Sequence, residues 1–276
     1  MAAPTVSDRA LVLRRFRYGE SSLVLQVLAR ERGRVHLIAR GAYRPKSRYY
    51  GALDLFDTLA LEWSEARGRE LQNLREAALL TRRARVAFDL ETFRAATTAL
   101  ELTSLAARAD QPGLELFELL TSLLDQLVEL PRASPPGVPA GLPLAAFELG
   151  LLQHLGLAPA LSTCAACAGE APADPRGRSA FSAGAGGRLC ARCAAEARSS
   201  GRRVGTMPAA VLDAARDLLA DGPRPGAAAT MAALAVGAEE LRDLVARFLE
   251  YHLEGRPRSY RRFLSVPNRN RPRNTA

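Results

Sequence analysis

The sequence predicts a multidomain α+β protein, in which a small N-terminal β-barrel is followed by an all-α helical domain that carries a cysteine-rich insert. The first observation is a run of five strand-like segments within about 70 residues near the N-terminus. The second is a change to the three-and-four leucine spacing of helices from Val86 onward. The third is a pair of Cys-x-x-Cys motifs within the helical part. A chain of 276 residues is long enough for two domains.

The barrel prediction rests on segments that are rich in Leu and β-branched residues and are separated by glycines. The five predicted strands are residues 8–17, 20–29, 33–40, 54–63 and 68–76. The first three are joined by linkers short enough for hairpins, whereas a longer link precedes the fourth. This arrangement favours an oligonucleotide-binding (OB) type barrel over residues 1–83, and a small SH3-like barrel would show nearly the same pattern.

The helical prediction rests on leucines at helical spacing between segments rich in Pro and Gly. The predicted helices are residues 86–109, 114–130, 144–157, 208–220 and 231–253. Their leucine stripes are expected to face a shared core. The helical domain is therefore predicted to comprise residues 84–163 and 194–264, and the Arg-rich residues 265–276 are predicted to be a disordered basic tail.

Positive charge is concentrated at the two ends of the chain. Residues 1–85 contain 17 Lys and Arg against 9 Asp and Glu, residues 86–254 contain 14 against 20, and residues 255–276 contain 7 against none. The total net charge of +9 conceals this division. Salt limits the reach of a charge to about 8–10 Å, so a polyanion responds to local charge density. The predicted partner of the barrel is nucleic acid.

Cations and aromatic rings alternate within the predicted barrel, as expected of a surface that follows phosphates and stacks on bases. Strand periodicity places Arg34, His36 and Arg40 on the outer face of the third strand, together with an unexpected Ile38. The predicted DNA-binding residues are Arg14, Arg15, Arg17, Arg34, His36, Arg40, Arg44, Lys46, Arg48 and Tyr49. The predicted stacking residues are Tyr43, Tyr49 and Tyr50, with Phe16 or Tyr18. The alternative is that the basic face only keeps the protein soluble and that the aromatic residues belong to the barrel core. A core position is the prediction for Trp63.

All four cysteines lie in one interval, as Cys164-x-x-Cys167 and Cys190-x-x-Cys193. Two such pairs can surround one Zn²⁺ tetrahedrally. The residues between the pairs are rich in Gly, Ala, Pro and Ser, so residues 164–193 are predicted to be a flexible insert that structural zinc fastens to the helices on either side. A redox pair is disfavoured because neither motif follows a strand in a βαβ unit, and disulfides would need an oxidising compartment.

Neither catalysis nor a membrane span is predicted. The chain has no glycine-rich phosphate loop followed by Lys-Ser or Lys-Thr, and its three histidines lack metal-ligand spacing. No segment approaches the roughly 18–20 uncharged apolar residues of a transmembrane helix. Residues 1–15 lack the apolar region of a signal peptide. A cytoplasmic protein that is not an enzyme is therefore expected.

A series of short motifs, in order from about residue 8 to residue 264, resembles the RecO family of bacterial recombination mediators. The motifs are Val12-Leu13, Tyr18-Gly19-Glu20-Ser21, Arg32-Gly33, Ala39-Arg40-Gly41-Ala42, Pro45-Lys46-Ser47-Arg48, Gly68-Arg69-Glu70-Leu71, Leu74-Arg75-Glu76-Ala77, the paired Cys-x-x-Cys motifs and Arg258-Ser259-Tyr260-Arg261-Arg262-Phe263-Leu264. The resemblance implies an OB barrel, a helical domain and the zinc element that some members contain. Arg40 and Lys46 lie in these motifs, so the resemblance implies that both residues contact DNA.

By this resemblance the protein would bind single- and double-stranded DNA without sequence preference and anneal complementary strands. It would also help RecA to load onto DNA coated with single-stranded DNA-binding protein (SSB), with RecR and the SSB C-terminal tail as partners and a location at the nucleoid. Two alternatives remain open from the residues alone. One is a zinc-stapled adaptor that binds an acidic protein without annealing activity, and the other is a nucleic-acid enzyme whose active residues are dispersed in the sequence.

Overall fold

The computed structural model describes residues 4–49, 51–66, 68–133, 140–221 and 238–253. Four features predicted from the sequence lie wholly or partly outside these residues: the stacking residue Tyr50, the first seven residues of the last helix, the motif at 258–264 and the basic tail. No helix within the described ranges is long and apolar enough to cross a membrane.

Five strands close into a barrel at the N-terminus. They are β1 (Thr5–Tyr18), β2 (Ser22–Ala29), β3 (Gly33–Ala39), β4 (Thr58–Ser64) and β5 (Leu71–Thr81). The closed order is β1-β2-β3-β5-β4, in which β3 and β5 pair in parallel and the other neighbours pair antiparallel. This is an OB-type barrel, so the predicted fold class is confirmed.

The barrel interior follows from the alternation of side chains along each strand. Leu37 and Ala39 of β3 are fully buried in the barrel core, and Val35 packs against it. Trp63 is also a core residue, as its position in β4 predicts. The opposite face of β3 therefore carries Arg34, His36 and Ile38, as expected.

The helices that follow are α1 (Leu90–Ala106), α2 (Leu114–Ala133), α3 (Gly141–His154), α4 (Ala191–Ser199), α5 (Ala209–Asp221) and α6 (Ala238–His252). The predicted helix from residue 86 instead begins with a 3-10 turn, Ala84–Ala87, and α1 starts only at Leu90. The reason is an N-cap, because the Asp89 carboxylate accepts a hydrogen bond from the Thr92 backbone N–H at 2.8 Å.

A second hydrophobic cluster, separate from the barrel interior, joins the barrel to the helices. Leu11, Leu13 and Leu28 lie on strands of the barrel yet belong to the same buried cluster as the helical leucines. The buried guanidinium of Arg83 adds a polar connection, because it donates to the Phe56 carbonyl at 3.0 Å and to the Asp125 carboxylate on α2 at 2.6 Å. The barrel is thereby held in a fixed position against the helices.

The cysteine-rich segment has its own secondary structure. Strands β6 (Arg178–Ser182), β7 (Gly187–Leu189) and β8 (Gly205–Pro208) form a three-stranded antiparallel sheet in the order β7-β6-β8, beside α4. The prediction of a flexible insert is therefore wrong. Its glycine content serves close packing instead, since a Cβ atom on Gly187 would lie 2.3 Å from the Ala160 carbonyl oxygen.

We call β6, β7, β8, α4 and the loop that holds Cys164 and Cys167 the cysteine module. It packs on the last described helix, where the Phe181 ring lies 6.1 Å from the Phe248 ring between centroids. His252 Nε2 also lies 3.1 Å from the Ala183 carbonyl oxygen. The module is thus fastened to α6.

Candidate nucleic-acid interface and metal centre

An open pocket of about 590 Å³ lies on the outer face of the barrel, where β1 ends and β2 and β5 begin. We call it the arginine pocket. Its lining residues are Tyr18, Ser21, Ser22, Ile38, Arg40, Gly41, Arg44, Arg69, Leu71 and Asn73. OB barrels bind oligonucleotides on the β2–β3 face and with the β1–β2 and β4–β5 loops. The position of the pocket is therefore that of an OB ligand site.

Strand register explains why these residues meet. Tyr18 pairs with Ser22, and Ile38 pairs with Asn73 across the parallel β3–β5 contact. Side chains on one face of neighbouring strands lie side by side. Ile38, which is unexpected among basic residues in the sequence, forms part of the pocket lining and is only 8% exposed.

Two of the pocket arginines are positioned by their own loops. The side chain of Arg44 lies against Gly41, which has a φ of +73°, and a Cβ atom there would be 3.3 Å from Arg44 Cδ. The loop that carries Arg69 is held by the Gln72 amide, which donates to the Ala66 carbonyl at 3.1 Å and to the Arg69 carbonyl at 2.6 Å. These contacts limit the conformations of both loops before any ligand binds.

The guanidinium groups of Arg40, Arg44 and Arg69 are free to act on a ligand. Within the described residues, none of them donates a hydrogen bond to the protein and none forms an ion pair. All three are exposed. Three uncompensated cations around one pocket create a positive potential that attracts phosphate.

Aromatic rings stand beside the pocket. The Arg17 guanidinium lies over the Tyr43 ring at 5.2 Å from its centroid, and the Tyr43 backbone N–H donates to the Ser21 carbonyl at 2.9 Å. Tyr43 is 53% exposed and Tyr18 is 61% exposed. Phe16 is similarly exposed on the end of β1. Exposed rings next to free cations are the combination that binds single strands.

The other predicted cations do not form one continuous row with these. Arg15 pairs with the Asp54 carboxylate at 2.6 Å, and Arg48 donates to the Arg75 carbonyl at 3.1 Å. Lys46 is exposed in the loop after β3. Arg14 and Arg34 are half-buried and lie farther along their strands, toward the helices. The structure therefore brings together Arg40 and Arg44, places Arg17 nearby, and uses Arg15 and Arg48 partly to brace the barrel.

Tyr49 is a core residue, so the prediction that its ring stacks on bases is wrong. It is only 5% exposed, and its hydroxyl donates to the Leu74 carbonyl at 2.7 Å. Burial raises the pKa of this hydroxyl. The ring can be buried in the barrel core because its hydroxyl group donates a hydrogen bond to a backbone carbonyl on β5. The exposed rings of Tyr43 and Tyr18 are the ones available for stacking.

His36 contributes little positive charge at neutral pH. Its pKa is lowered, first by burial and second by the neighbouring Arg34 charge, while Glu70 opposes the shift. A neutral imidazole can still exchange hydrogen bonds with a phosphate or a base. His36 therefore contributes a neutral hydrogen-bonding group, and not a positive charge, to this surface.

Arg69 and Asn73 are site residues that the sequence did not assign. Arg69 lies in a family-like motif, Gly68-Arg69-Glu70-Leu71, but nothing local connects that motif with Arg40. The connection is the parallel pairing of β3 with β5. An assumed OB strand order is the only signal that would have placed Arg69 beside Arg40.

The four cysteines converge on one point in the cysteine module. The Sγ atoms of Cys164, Cys167, Cys190 and Cys193 all lie within 4.8 Å of one another, and those of Cys167 and Cys190 are 4.0 Å apart. A tetrahedral ion with Zn–S bonds of about 2.3 Å places its sulfurs about 3.8 Å apart. The donor set and its dimensions therefore fit a metal ion. We call this group the four-cysteine centre.

The electrostatics of the four-cysteine centre favour a bound cation. Burial opposes ionisation of Cys164, yet backbone N–H groups of Cys190, Cys167 and Ala166 point at its sulfur, and the pKa of this thiol is lowered to about 6. The Cys190 sulfur and burial raise the pKa of Cys193 to about 12. Four thiols this close cannot all ionise without a cation among them, and a divalent metal ion would supply that charge.

The fold and the two sites together define a class: proteins with an OB-type barrel whose ligand face is cationic, joined to a helical domain with a four-cysteine centre. Comparison with known families identifies the member of this class. Residues 1–83 match the family model "Recombination protein O N terminal", and residues 87–261 match "Recombination protein O C terminal". The chain belongs to the RecO family of DNA repair proteins.

Individual relatives agree with this assignment. The chain is 39% identical over 265 residues to the DNA repair protein RecO of Anaeromyxobacter dehalogenans (strain 2CP-1 / ATCC BAA-258), which covers 93% of this chain and 96% of the relative. It is 33% identical over 252 residues to the protein of the same name from Myxococcus xanthus (strain DK1622), covering 91% of this chain and 94% of the relative. The resemblance expected from the short motifs is thereby confirmed.

Proposed function

We propose that this protein is a DNA-binding recombination mediator without sequence specificity, which anneals complementary strands and helps RecA to load onto SSB-coated single-stranded DNA. In this proposal it acts with RecR and the SSB C-terminal tail, performs no catalysis, and works in the cytoplasm at the nucleoid. The observation that carries it is the arginine pocket, where three guanidinium groups without a partner among the described residues, together with exposed aromatic rings, occupy the ligand face of an OB-type barrel.

DNA binding follows from the chemistry of this face. Arg40, Arg44 and Arg69 would neutralise phosphates, and the counterions released from the DNA supply the driving force. Tyr43 and Tyr18 would stack on bases, at about 1–3 kcal/mol for each base. Stacking uses the π face, which every base has, so such a surface tolerates any sequence.

Annealing follows from the same contacts. Two strands repel each other through their phosphates, and the repulsion falls when one strand is already neutralised on the protein. Bases that stack by their faces keep their hydrogen-bonding edges open to a second strand. Base pairing then completes the duplex, with no covalent step and no catalytic group.

We also propose that the four-cysteine centre holds one Zn²⁺ in a structural role. Four sulfur ligands leave no open coordination position for a substrate. The ion would fix the loop that holds Cys164 and Cys167 against α4, and the Phe181–Phe248 contact then fixes the cysteine module against α6. Its contribution would be to folding and to the docking of the module.

The decisive experiment is strand annealing with fluorescently labelled complementary oligonucleotides, each first coated with SSB. We expect the protein to accelerate annealing and to bind unrelated sequences equally. The slope of log affinity against log salt should be about −0.7 for each single-strand phosphate contact. Replacing Arg40, Lys46 and Arg48 together with Ala should weaken binding to all sequences alike.

Three results would contradict this proposal. An affinity that does not change with salt would show that the protein does not contact phosphates. Binding of an acidic protein partner, with bulk single-stranded DNA ignored in competition, would indicate the zinc-stapled adaptor. Cleavage of labelled strands in the presence of Mg²⁺ would indicate an enzyme.

A further inference from the structure

We propose that the arginine pocket is a subsite for the terminal nucleotide of a DNA strand, with a preference for an end that carries a phosphate monoester. This inference rests on the proposed DNA binding and makes it more specific. It concerns which part of a strand enters the pocket, and it assigns Arg69 together with Arg40 and Arg44 to that end.

The size and shape of the arginine pocket suit a single nucleotide. A volume of about 590 Å³ lies in the range of about 300–1,000 Å³ that small-molecule sites occupy. A space of this size fits about one nucleotide, and because the pocket is open the rest of the strand can continue outside it. The lining suits the two parts of a nucleotide. Tyr18, Ile38 and Leu71 offer apolar surface to the base or sugar, and three arginines offer guanidinium groups to the phosphate.

The charge of the arginine pocket suits a terminal phosphate better than a phosphodiester. A phosphodiester within a strand carries one negative charge, whereas a terminal phosphate carries about −1.5 to −2 at neutral pH and has three strong acceptor oxygens. No acidic side chain lines the arginine pocket. Arg40, Arg44 and Arg69 therefore offer more positive charge than one phosphodiester can use, and guanidinium groups bind phosphate oxygens in pairs.

The loops that carry the pocket arginines are already held in place by the protein. Arg44 lies on Gly41, and the Gln72 amide fixes the backbone of Arg69. The Tyr43 N–H bond to the Ser21 carbonyl ties the loop after β3 to the β1–β2 turn on the pocket wall. Because these loops are already held, less ordering entropy opposes binding of a single phosphate group. A surface that only attracts a flexible polyanion would not need such positioning.

The test compares three otherwise identical oligonucleotides of about ten thymidines, a length within the range bound by one OB fold. One carries a 5′-phosphate, one a 3′-phosphate, and one has hydroxyl groups at both ends. We expect the full-length protein to bind one of the phosphorylated strands about tenfold more tightly than the hydroxyl-ended strand, as one added charge-assisted contact allows. Inorganic phosphate should compete away this preference, so that in its presence all three strands bind with the same affinity.

Single substitutions test whether the preference for a terminal phosphate depends on the arginine pocket. Arg44→Ala and Arg69→Ala should each bind the phosphorylated strand about as weakly as the hydroxyl-ended one. Arg176→Ala removes the same charge from an exposed turn of the cysteine module, and it should keep the preference. Thermal unfolding that matches the unsubstituted protein would show that the variants are folded.

Two outcomes would overturn the inference, and they differ. Equal affinity for all three strands, with normal dependence on salt, would leave general DNA binding intact and remove the end subsite. Failure to bind any of the three strands would overturn the proposed function and this inference together. A preference that persists in both Arg44→Ala and Arg69→Ala would place the end elsewhere on the protein and would also contradict it.

Discussion

The arginines of the helical domain and those of the arginine pocket have opposite surroundings. In the helices, Arg216 contacts Asp213 and Asp217, and Arg247 pairs with Asp243 at 2.6 Å. In the pocket, Arg40, Arg44 and Arg69 have no acidic partner within the described ranges of the chain. Arginine therefore forms ion pairs on the surface of the helices, whereas in the arginine pocket its guanidinium group remains available to a ligand.

This difference shows what a net charge can and cannot indicate. A guanidinium that is already paired offers little attraction to a phosphate, because the ion pair would first have to separate. Like charges that are left side by side repel each other, and a bound polyanion relieves that repulsion. The distribution of acidic partners, more than the number of arginines, marks the binding surface.

The largest expected effect concerns the four-cysteine centre, and it tests whether the arginine pocket acts independently of the cysteine module. Replacing Cys190 and Cys193 together with Ser should abolish metal binding and unfold the module, because metal binding in such centres contributes about 10–16 kcal/mol in isolated zinc fingers. DNA affinity should change less than about twofold, because the pocket lies on the barrel. Metal content by mass spectrometry, thermal unfolding and fluorescence anisotropy measure these quantities.

A Ser199→Ala substitution on the exposed end of α4 serves as the control, and it should leave metal content unchanged. One metal ion for each unsubstituted chain is expected. A cysteine double variant that unfolds at the same temperature as the unsubstituted protein would contradict a structural role of the metal.

The next effect tests the comparison of arginines directly. Replacing Arg40, Arg44 and Arg69 together with Ala should weaken binding to single-stranded DNA by about a thousandfold or more, at about 1.5–3 kcal/mol for each lost charged hydrogen bond. It should also reduce the salt slope by about 2. The matched variant replaces Arg94, Arg216 and Arg247, each of which pairs with an acidic residue on its own helix, and it removes the same charge.

The matched helical variant should bind DNA within about threefold of the unsubstituted protein, because long-range attraction is screened at physiological salt. Anisotropy titrations at several salt concentrations distinguish the two variants. If both lose affinity equally, total charge and not the unpaired pocket determines binding.

A smaller effect separates the two tyrosines near the pocket. Tyr43→Ala should weaken DNA binding by about tenfold through lost stacking and leave thermal stability almost unchanged. Tyr49→Ala should instead destabilise the barrel by about 3 kcal/mol, because it leaves a cavity and an unpaired Leu74 carbonyl. Binding and unfolding measured on the same samples would test this assignment, and the reverse pattern would restore Tyr49 as the stacking residue.

The smallest effect is a dependence of stability on pH. Burial and Arg34 lower the pKa of His36 below its ordinary value of 6.5, so the folded protein binds this proton less readily than the unfolded chain. Stability is therefore full above pH 6.5 and declines as the pH falls through the lowered pKa of His36. His36→Gln should remove this part of the decline in denaturant titrations at several pH values. An unchanged profile would indicate that other groups cause it.

Local patterns in the sequence determined much of the architecture. Alternation along the strands predicted the inner and outer faces of β3, including the burial of Leu37 and the exposure of Arg40. Leucine spacing predicted five of the six α-helices that the described residues form, all except α4, and the two Cys-x-x-Cys pairs predicted the four-cysteine centre. These features depend on residues that are close in sequence or on a fixed period, so the sequence alone contains them.

Other features were decided only by the tertiary structure. Arg69 and Arg40 line the same pocket because β3 and β5 pair in parallel. Tyr49 can be buried because its hydroxyl donates to a carbonyl on β5. The cysteine module is folded because Gly187 allows the chain to approach Ala160 closely. Each case depends on contacts between segments that are distant along the chain, and no local period or spacing specifies which distant segments will become neighbours.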